Sequence, residues 1–593
     1  MRRWAWCVAA GLLVTGCTSV GESLDTSLAA LPAFAEIRPE LLNELTEFAA
    51  QAMATPDLRP RSNWAGDQAQ RVIVVTVPSP QGRAMVSQGS GLGWTQAIRT
   101  ALQPIAASSY GWLKLDVVGG ADSFRGNLEP GFQGVGFRNG LLLLPEELTH
   151  LDLHRGHQLR KGYQERLPEH WGKASAESQV GQAHYRLHIQ SSCWFKGRVY
   201  PLRRGHRQLT VEQINPEELL SAAKLAGQHL LTQLGPEGRF TYIYRPDRDQ
   251  IPQEYNLLRH AGACYALAQL AQETQQREYR DGARRALKYL LLQVRPDAQR
   301  EGLYLVEGKH VKLGGNALAI VALLEFSQVS GEAFATKEVK GLAQGLLQEQ
   351  LPDGSFPVHK REFATREASD FVSGYYPGEA IVALMALHRH DPSGPWLKAA
   401  QKAARYLIVV RDKGLASSQL PHDHWLMLGL SSVQQAAPDP IYPRHLTALS
   451  KAICSAQIRQ SSSSDWLGGF YQPPRSGPTS IRMEGLCAGH RWVSQAVTDE
   501  VEQTLMGASL YLLQSQLQPE FCAYFRHPQK CLGGIPRSLS NSELRIDYDQ
   551  HFISALLAHR QILQQRIKSG RSLPGLPPTS GEDLSELEPV SED

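Results

Sequence analysis

The chain has 593 residues, of which 42% are hydrophobic and 20% charged, with a formal net charge of +3. Single cores stop growing near about 250–300 residues, so this length calls for two or more domains. The composition is close to ordinary globular usage, and so small a net charge gives no reason to expect nucleic acid or an acidic membrane surface as a bulk partner.

In chain order, Arg2 and Arg3 precede a short apolar run over residues 4–14, followed by Val14-Thr15-Gly16-Cys17. The run is too short to span a bilayer. The pattern resembles a bacterial lipobox. It implies a signal peptide over 1–16 and an exported, membrane-anchored protein lipidated on Cys17, and Thr18 in place of Asp favours the outer membrane. Residues 17–70 are expected to be a tether carrying one helical patch, LLNELTEFAAQAM. An exported compartment permits disulfides, and Cys522 and Cys531, bracketing FCAYFRHPQKC, are the best candidate pair.

Residues 71–210 mix strand and helix patterns. RVIVVTVPSP is a β-branched run stopped by prolines, GWTQAIRTALQPIAA has helical spacing, and YRLHIQSSCWF alternates. A small α+β domain is expected. GSGLG lacks the spacing of a phosphate loop and is expected to be a turn.

From 217 to 563 the chain repeats itself. Six helical pairs have first helices beginning near Glu217, Asp281, Glu338, Pro395, Arg444 and Val501, roughly 50–65 residues apart. The first helices are amphipathic. The second helices, such as SGYYPGEAIVALMALHRH, are apolar nearly all round and are expected to be buried. The architecture and turn words such as LPDGSF resemble the (α/α)6 toroid of six-hairpin glycosidases, N-acylglucosamine 2-epimerases and uronyl C5-epimerases. That resemblance implies an inner ring of second helices and a carbohydrate-active site. Residues 564–593 are Pro/Ser-rich and then acidic, and are expected to be disordered.

Polar residues gather at the starts of the second helices, which a ring places on one mouth. Candidate carboxylates for glycoside hydrolysis are Glu379, Asp423, Glu484, Asp547 and Asp549. That chemistry needs one protonated and one ionised carboxyl about 5–9.5 Å apart. Asn256, Arg259, His260, Asn316, Tyr375, Tyr376, His424, Trp425, Arg482, His490, Arg545 and His551 are candidate substrate contacts. Histidines among them offer an alternative, epimerisation by two bases on opposite faces of a carbon, with Arg259, Arg482 or Arg545 holding an acidic sugar. Taken singly, an acid at a helix start is an ordinary cap or first-turn residue, and a lone helical histidine is a structural one. The surplus of His, Arg and Tyr beside the acids is what capping does not explain. Cys487 with His490, and Asp547 with His551, stand one turn apart, but no zinc-binding word is present; neither metal nor cofactor is expected. A non-catalytic module that binds glycan or peptide is the alternative of a different class. The polar stretch 526–551 has the length of a lid.

Overall fold

The computed structural model describes residues 27–31, 36–55, 58–59, 62–64, 67–105, 110–124, 127–129, 131–137, 142–150, 153 and 183–576. The signal segment, Cys17 and the acidic end of the tail lie outside the described residues. The chain divides into two compact units, Met1–Gln208 with Pro519–Pro528, and Leu209–Gln518 with Gln529–Asp593. Cys522 and Cys531 are both buried and belong to different units.

The first unit runs α1 (Pro39–Ala54), β1 (Gln70–Pro78), β2 (Ala84–Leu92), α2 (Trp94–Leu102), β3 (Trp112–Ser123), β4 (Gln133–Phe137), β5 (Leu142–Leu143), α3 (Pro145–His150), β6 (Ala183–Phe195), β7 (Arg198–Arg203) and β8 (His206–Arg207). Its antiparallel sheet has the order β2-β1-β3-β6-β4-β5, and β7 and β8 extend from β6. Successive residues of a strand face opposite sides, so Ile73, Val75 and Val77 enter the core with α1 and α2, whereas Val72 and Val74 pack with Leu28 and Leu187. The expected α+β character is present. The stretch expected as a tether, however, supplies α1 to this core, because Leu42, Leu45, Phe48 and Ala52 recur at helical spacing and are buried. GSGLG lies in β2 and its edge, not in a turn.

The second unit is all-α apart from two small sheets. Its outer helices are α4 (Pro216–Gln233), α6 (Arg277–Leu291), α8 (Thr336–Gln348), α10 (Trp396–Tyr406), α12 (Ile441–Ser455) and α14 (Gln495–Ser515). Its inner helices are α5 (Leu257–Thr274), α7 (Leu313–Ser330), α9 (Tyr376–His390), α11 (His424–Ala436), α13 (Ser476–Gly489) and α15 (Ile546–Lys568). Each inner helix packs on the next, and α15 packs back on α5, which closes the ring. Each outer helix packs on the inner helix that precedes it around the ring, α4 on α15, α6 on α5 and so on to α14 on α13. This is the (α/α)6 toroid. Short strands feed its mouth: β12 (His310–Lys312) runs into α7, and β15 (Asn541–Arg545) runs into α15. β15 pairs with β14 (Pro536–Ser538) and with Ile243–Tyr244, so the later part of the expected lid is a sheet.

Inner helices are buried because all faces have partners. α7 is long and apolar enough to cross a membrane, yet it is mostly buried among its neighbours. α13 begins at Ser476, earlier than its apolar pattern suggests, since Pro478 is tolerated in a first turn. It ends at Gly489, which leaves His490 beyond its last turn.

Glycines let the inner helices approach closely. A Cβ on Gly378 of α9 would lie 2.6 Å from the backbone N of Leu426 and 2.9 Å from the carbonyl carbon of Trp425. Backbone atoms cannot swing aside, so the ring would have to open locally. Gly378→Ala should therefore destabilise the protein by about 1–3 kcal/mol, read as a lower denaturation midpoint with an unchanged slope.

Candidate active site

The mouth is built from the first turns of the inner helices. Asn256 caps α5, its side chain accepting from the backbone N–H groups of Leu258 and Arg259. This orients Arg259, whose Nε lies 3.6 Å from Asp547 Oδ2. Arg545 grips the same carboxylate with two donors, Nε at 2.6 Å and Nη2 at 2.8 Å. Burial pushes Asp547 up, but Arg545 and Arg259 outweigh it and hold its carboxyl below the usual range.

Glu379, in the first turn of α9, is buried with Oε2 lacking any hydrogen-bond partner. Gly314 of α7 makes room for it, since a Cβ there would collide with that oxygen. Burial pushes Glu379 up to about 8, against Arg259 and helped by Asp423. Asp423 caps α11, accepting from Leu426 N at 2.9 Å and from Arg411 Nη1 at 3.3 Å. Burial raises it to about 6 despite these partners.

Deeper in the ring, two imidazoles flank one carboxyl. His551 Nδ1 is 3.0 Å from Glu484 Oε1, and His424 Nε2 is 3.8 Å from Glu484 Oε2. The two rings stand 5.2 Å apart, nearly perpendicular. Burial holds Glu484 well above the usual carboxyl range. Burial also holds both imidazoles well below theirs, with Arg259 opposing their charge. Both shifts favour the uncharged forms, a protonated carboxyl and neutral rings. Gln550 Nε2 donates to His551 Nδ1 at 3.1 Å. With Nδ1 accepting, the ring proton of neutral His551 sits on Nε2. Among the described residues His424 has no hydrogen-bond partner on either nitrogen. His424, Glu484 and His551 also each offer a ligand atom within 4.8 Å of the others. That donor set would suit zinc, although the sequence suggests no metal.

The other sequence candidates divide. Tyr375 stands beside His424, its ring 5.5 Å away. Tyr376 and Trp425 are buried, and Trp425 packs on His424 and His551, so neither offers an open stacking face. Arg482 reaches His422 Nδ1 at 3.0 Å and the Tyr471 hydroxyl at 2.9 Å. Four candidates serve the scaffold. Asp549 turns outward, accepting from His229 of α4 at 2.7 Å and from Ile535 N at 2.9 Å. His260 donates to the Ala286 carbonyl and accepts from the Tyr255 hydroxyl. Asn316 accepts from Leu305 N. His490, past the end of α13, meets Glu502 of α14, so it is not at the mouth. Cys487, one turn before it in the sequence, is partly buried, and burial raises its thiol. Sequence reasoning missed Arg411, Tyr242 and Tyr471, which come from connections outside the inner helices. Tyr242 is pushed up to about 12 by burial and by Asp547.

An acid with a raised folded pKa holds its proton more tightly when folded. Glu379 therefore costs stability as pH rises from its ordinary 4.5 through about 8. Glu379→Gln removes that cost. In thermal melts the variant should gain on the wild type as pH rises across this window, by on the order of a few kcal/mol. Parallel pH profiles for the two proteins would refute the assignment.

No protein-family model matches the chain, and no curated protein matches it. Among solved structures it is similar to a D-mannose isomerase, with 14% identity over 58% of this chain and 97% of that chain and a TM-score of 0.45. It is also similar to cellobiose 2-epimerase from Spirochaeta thermophila, with 13% identity over 60% of this chain and 99% of that chain and a TM-score of 0.44. A family 76 glycoside hydrolase from a bovine Bacteroides thetaiotaomicron strain gives 9% identity over 77% of this chain and 97% of that chain, with a TM-score of 0.44. At such identities and scores the activity has to be argued from the site itself.

Proposed function

We propose that the toroid is a carbohydrate-active enzyme that moves a proton on a reducing sugar, as an epimerase or aldose–ketose isomerase. The observation that carries this reading is the buried array of His424, Glu484 and His551, two imidazoles on either side of one carboxyl. Neutral imidazole is the form that can accept a proton from carbon, and desolvation keeps it neutral. His424, with both nitrogens unengaged, takes the proton from the carbon next to the carbonyl. The C–H electrons become the C=C bond of an enediolate, and the carbonyl oxygen takes the negative charge. Arg259, whose charge is felt at both imidazoles, stabilises that oxygen. His551 returns a proton from Nε2 to carbon. As Nε2 gives up its proton, Glu484 delivers its own to His551 Nδ1 and takes the proton of His424, so both rings end neutral, His551 as its Nδ1–H tautomer; exchange with water returns that proton to Nε2 before the next turnover.

Hydrolysis is the second reading, favoured by one observation: Glu379 is held protonated near neutral pH. Its difficulty is the ionised partner. Asp547 is gripped by Arg545, and Asp423 is bound by Arg411 and its own helix end.

The test is incubation with reducing sugars in deuterium oxide. Solvent deuterium should enter the carbon beside the carbonyl, and His424→Asn or His551→Asn should slow this by about 10²–10⁴-fold. Dialysis against a chelator should leave the rate unchanged; its loss would recast the three groups as metal ligands. New reducing ends that vanish in Glu379→Gln, with no deuterium in the sugar, would replace this reading by hydrolysis. Tight glycan binding with neither outcome would leave a binding module.

The enzyme is also proposed to be exported and anchored by lipid on Cys17, which the sequence pattern supports. Cys17→Ser should move the protein from the membrane fraction to the soluble one.

A further inference from the structure

The mouth holds more guanidinium charge than its carboxylates balance. Arg259 and Arg545 share the single carboxylate of Asp547. Arg482 is 5% exposed, yet its three donors go to neutral acceptors: His422 Nδ1, the Pro478 carbonyl and the Tyr471 hydroxyl. Arg475, which precedes α13, stacks on the same ring, its guanidinium carbon 4.8 Å from the Tyr471 centroid, as is that of Arg482. Among the described residues neither Arg475 nor Arg482 forms an ion pair. Leaving a guanidinium buried without a counter-charge is costly.

Tyr471 adds an independent sign. Its φ is 73°, in the left-handed region, and a bulky aromatic residue there carries strain. Such strain costs about 1–3 kcal/mol and gathers at ligand clamps. Two guanidiniums lie against the ring of this residue. His422, bonded to Arg482, lies two residues before His424, so the stack adjoins the imidazole pair.

We propose that the site takes an anionic sugar, whose carboxylate or phosphate group is held by Arg482 and Arg475 about Tyr471 while the reducing end lies at His424 and His551. The incoming anion supplies the charge that these guanidiniums lack, through charge-assisted hydrogen bonds. The position of the reducing end rests on the proton-transfer reading; the preference for an anion does not.

The experiment is calorimetric titration of the protein with glucuronate, glucose 6-phosphate and glucose at low and high salt. At least one anion should bind about ten-fold or more tightly than glucose, and the advantage should shrink with salt. The ratio of the two anions tells carboxylate from phosphate. Arg482→Gln and Arg475→Gln should each bring the ratio of anion to glucose affinity close to one. Arg475 donates no side-chain hydrogen bond, so its variant serves if Arg482→Gln fails to fold. Glucose binding as tightly as both anions, or no measurable binding of either anion, overturns the inference. Anion selectivity without deuterium exchange keeps it and removes the proton-transfer reading. Exchange into glucose without anion preference does the reverse.

Discussion

The contact between His551 Nδ1 and Glu484 Oε1, 3.0 Å long, joins a base and an acid that burial drives toward their uncharged forms. In water such a pair would ionise. Here the six inner helices close a ring around it and remove the water that would stabilise the ions. The proposed proton transfer depends on that exclusion. It keeps the imidazoles available as bases, leaves the carboxyl with a proton to pass, and makes each nearby guanidinium felt over a longer range.

The arginines then sort the remaining acids. Asp547 ionises because Arg545 and Arg259 both face it. Glu379 on the facing helix has only the more distant influence of Arg259 and stays protonated. Two carboxyl groups in the first turns of facing helices are therefore shifted in opposite directions. The helix ends add to this, since free N–H groups favour negative charge at the mouth. They also favour an anionic ligand where a guanidinium has no partner.

Close approach of the helices is the condition for the exclusion of water. At Gly378, Gly485 and Gly314 a neighbouring helix or the Glu379 carboxyl occupies the space a side chain would need. The packing that stabilises the ring and the desolvation that tunes the site are one geometric fact. The β14–β15 sheet contributes by delivering Arg545 to the first turn of α15. The stretch that looked like a lid is thus in part a rigid support.

By itself the sequence determined the six-fold repeat, which helix of each pair lies inside, and that polar residues collect where the inner helices begin. Those features are periodic and local, so they survive without knowledge of distant partners. The α+β character of the first unit was legible for the same reason, whereas the membership of α1 in its core was not, because a short amphipathic helix does not name the surface it covers. Only the tertiary structure decided which polar residues act together. Asp547 and Asp549 are two residues apart, yet one faces Arg545 in the ring and the other faces His229 outside it. His424 and His551 are far apart in the chain and adjacent in space. Charge state and reactivity depend on burial and on charges within a few ångströms, and both are set by through-space neighbours that a linear pattern does not contain.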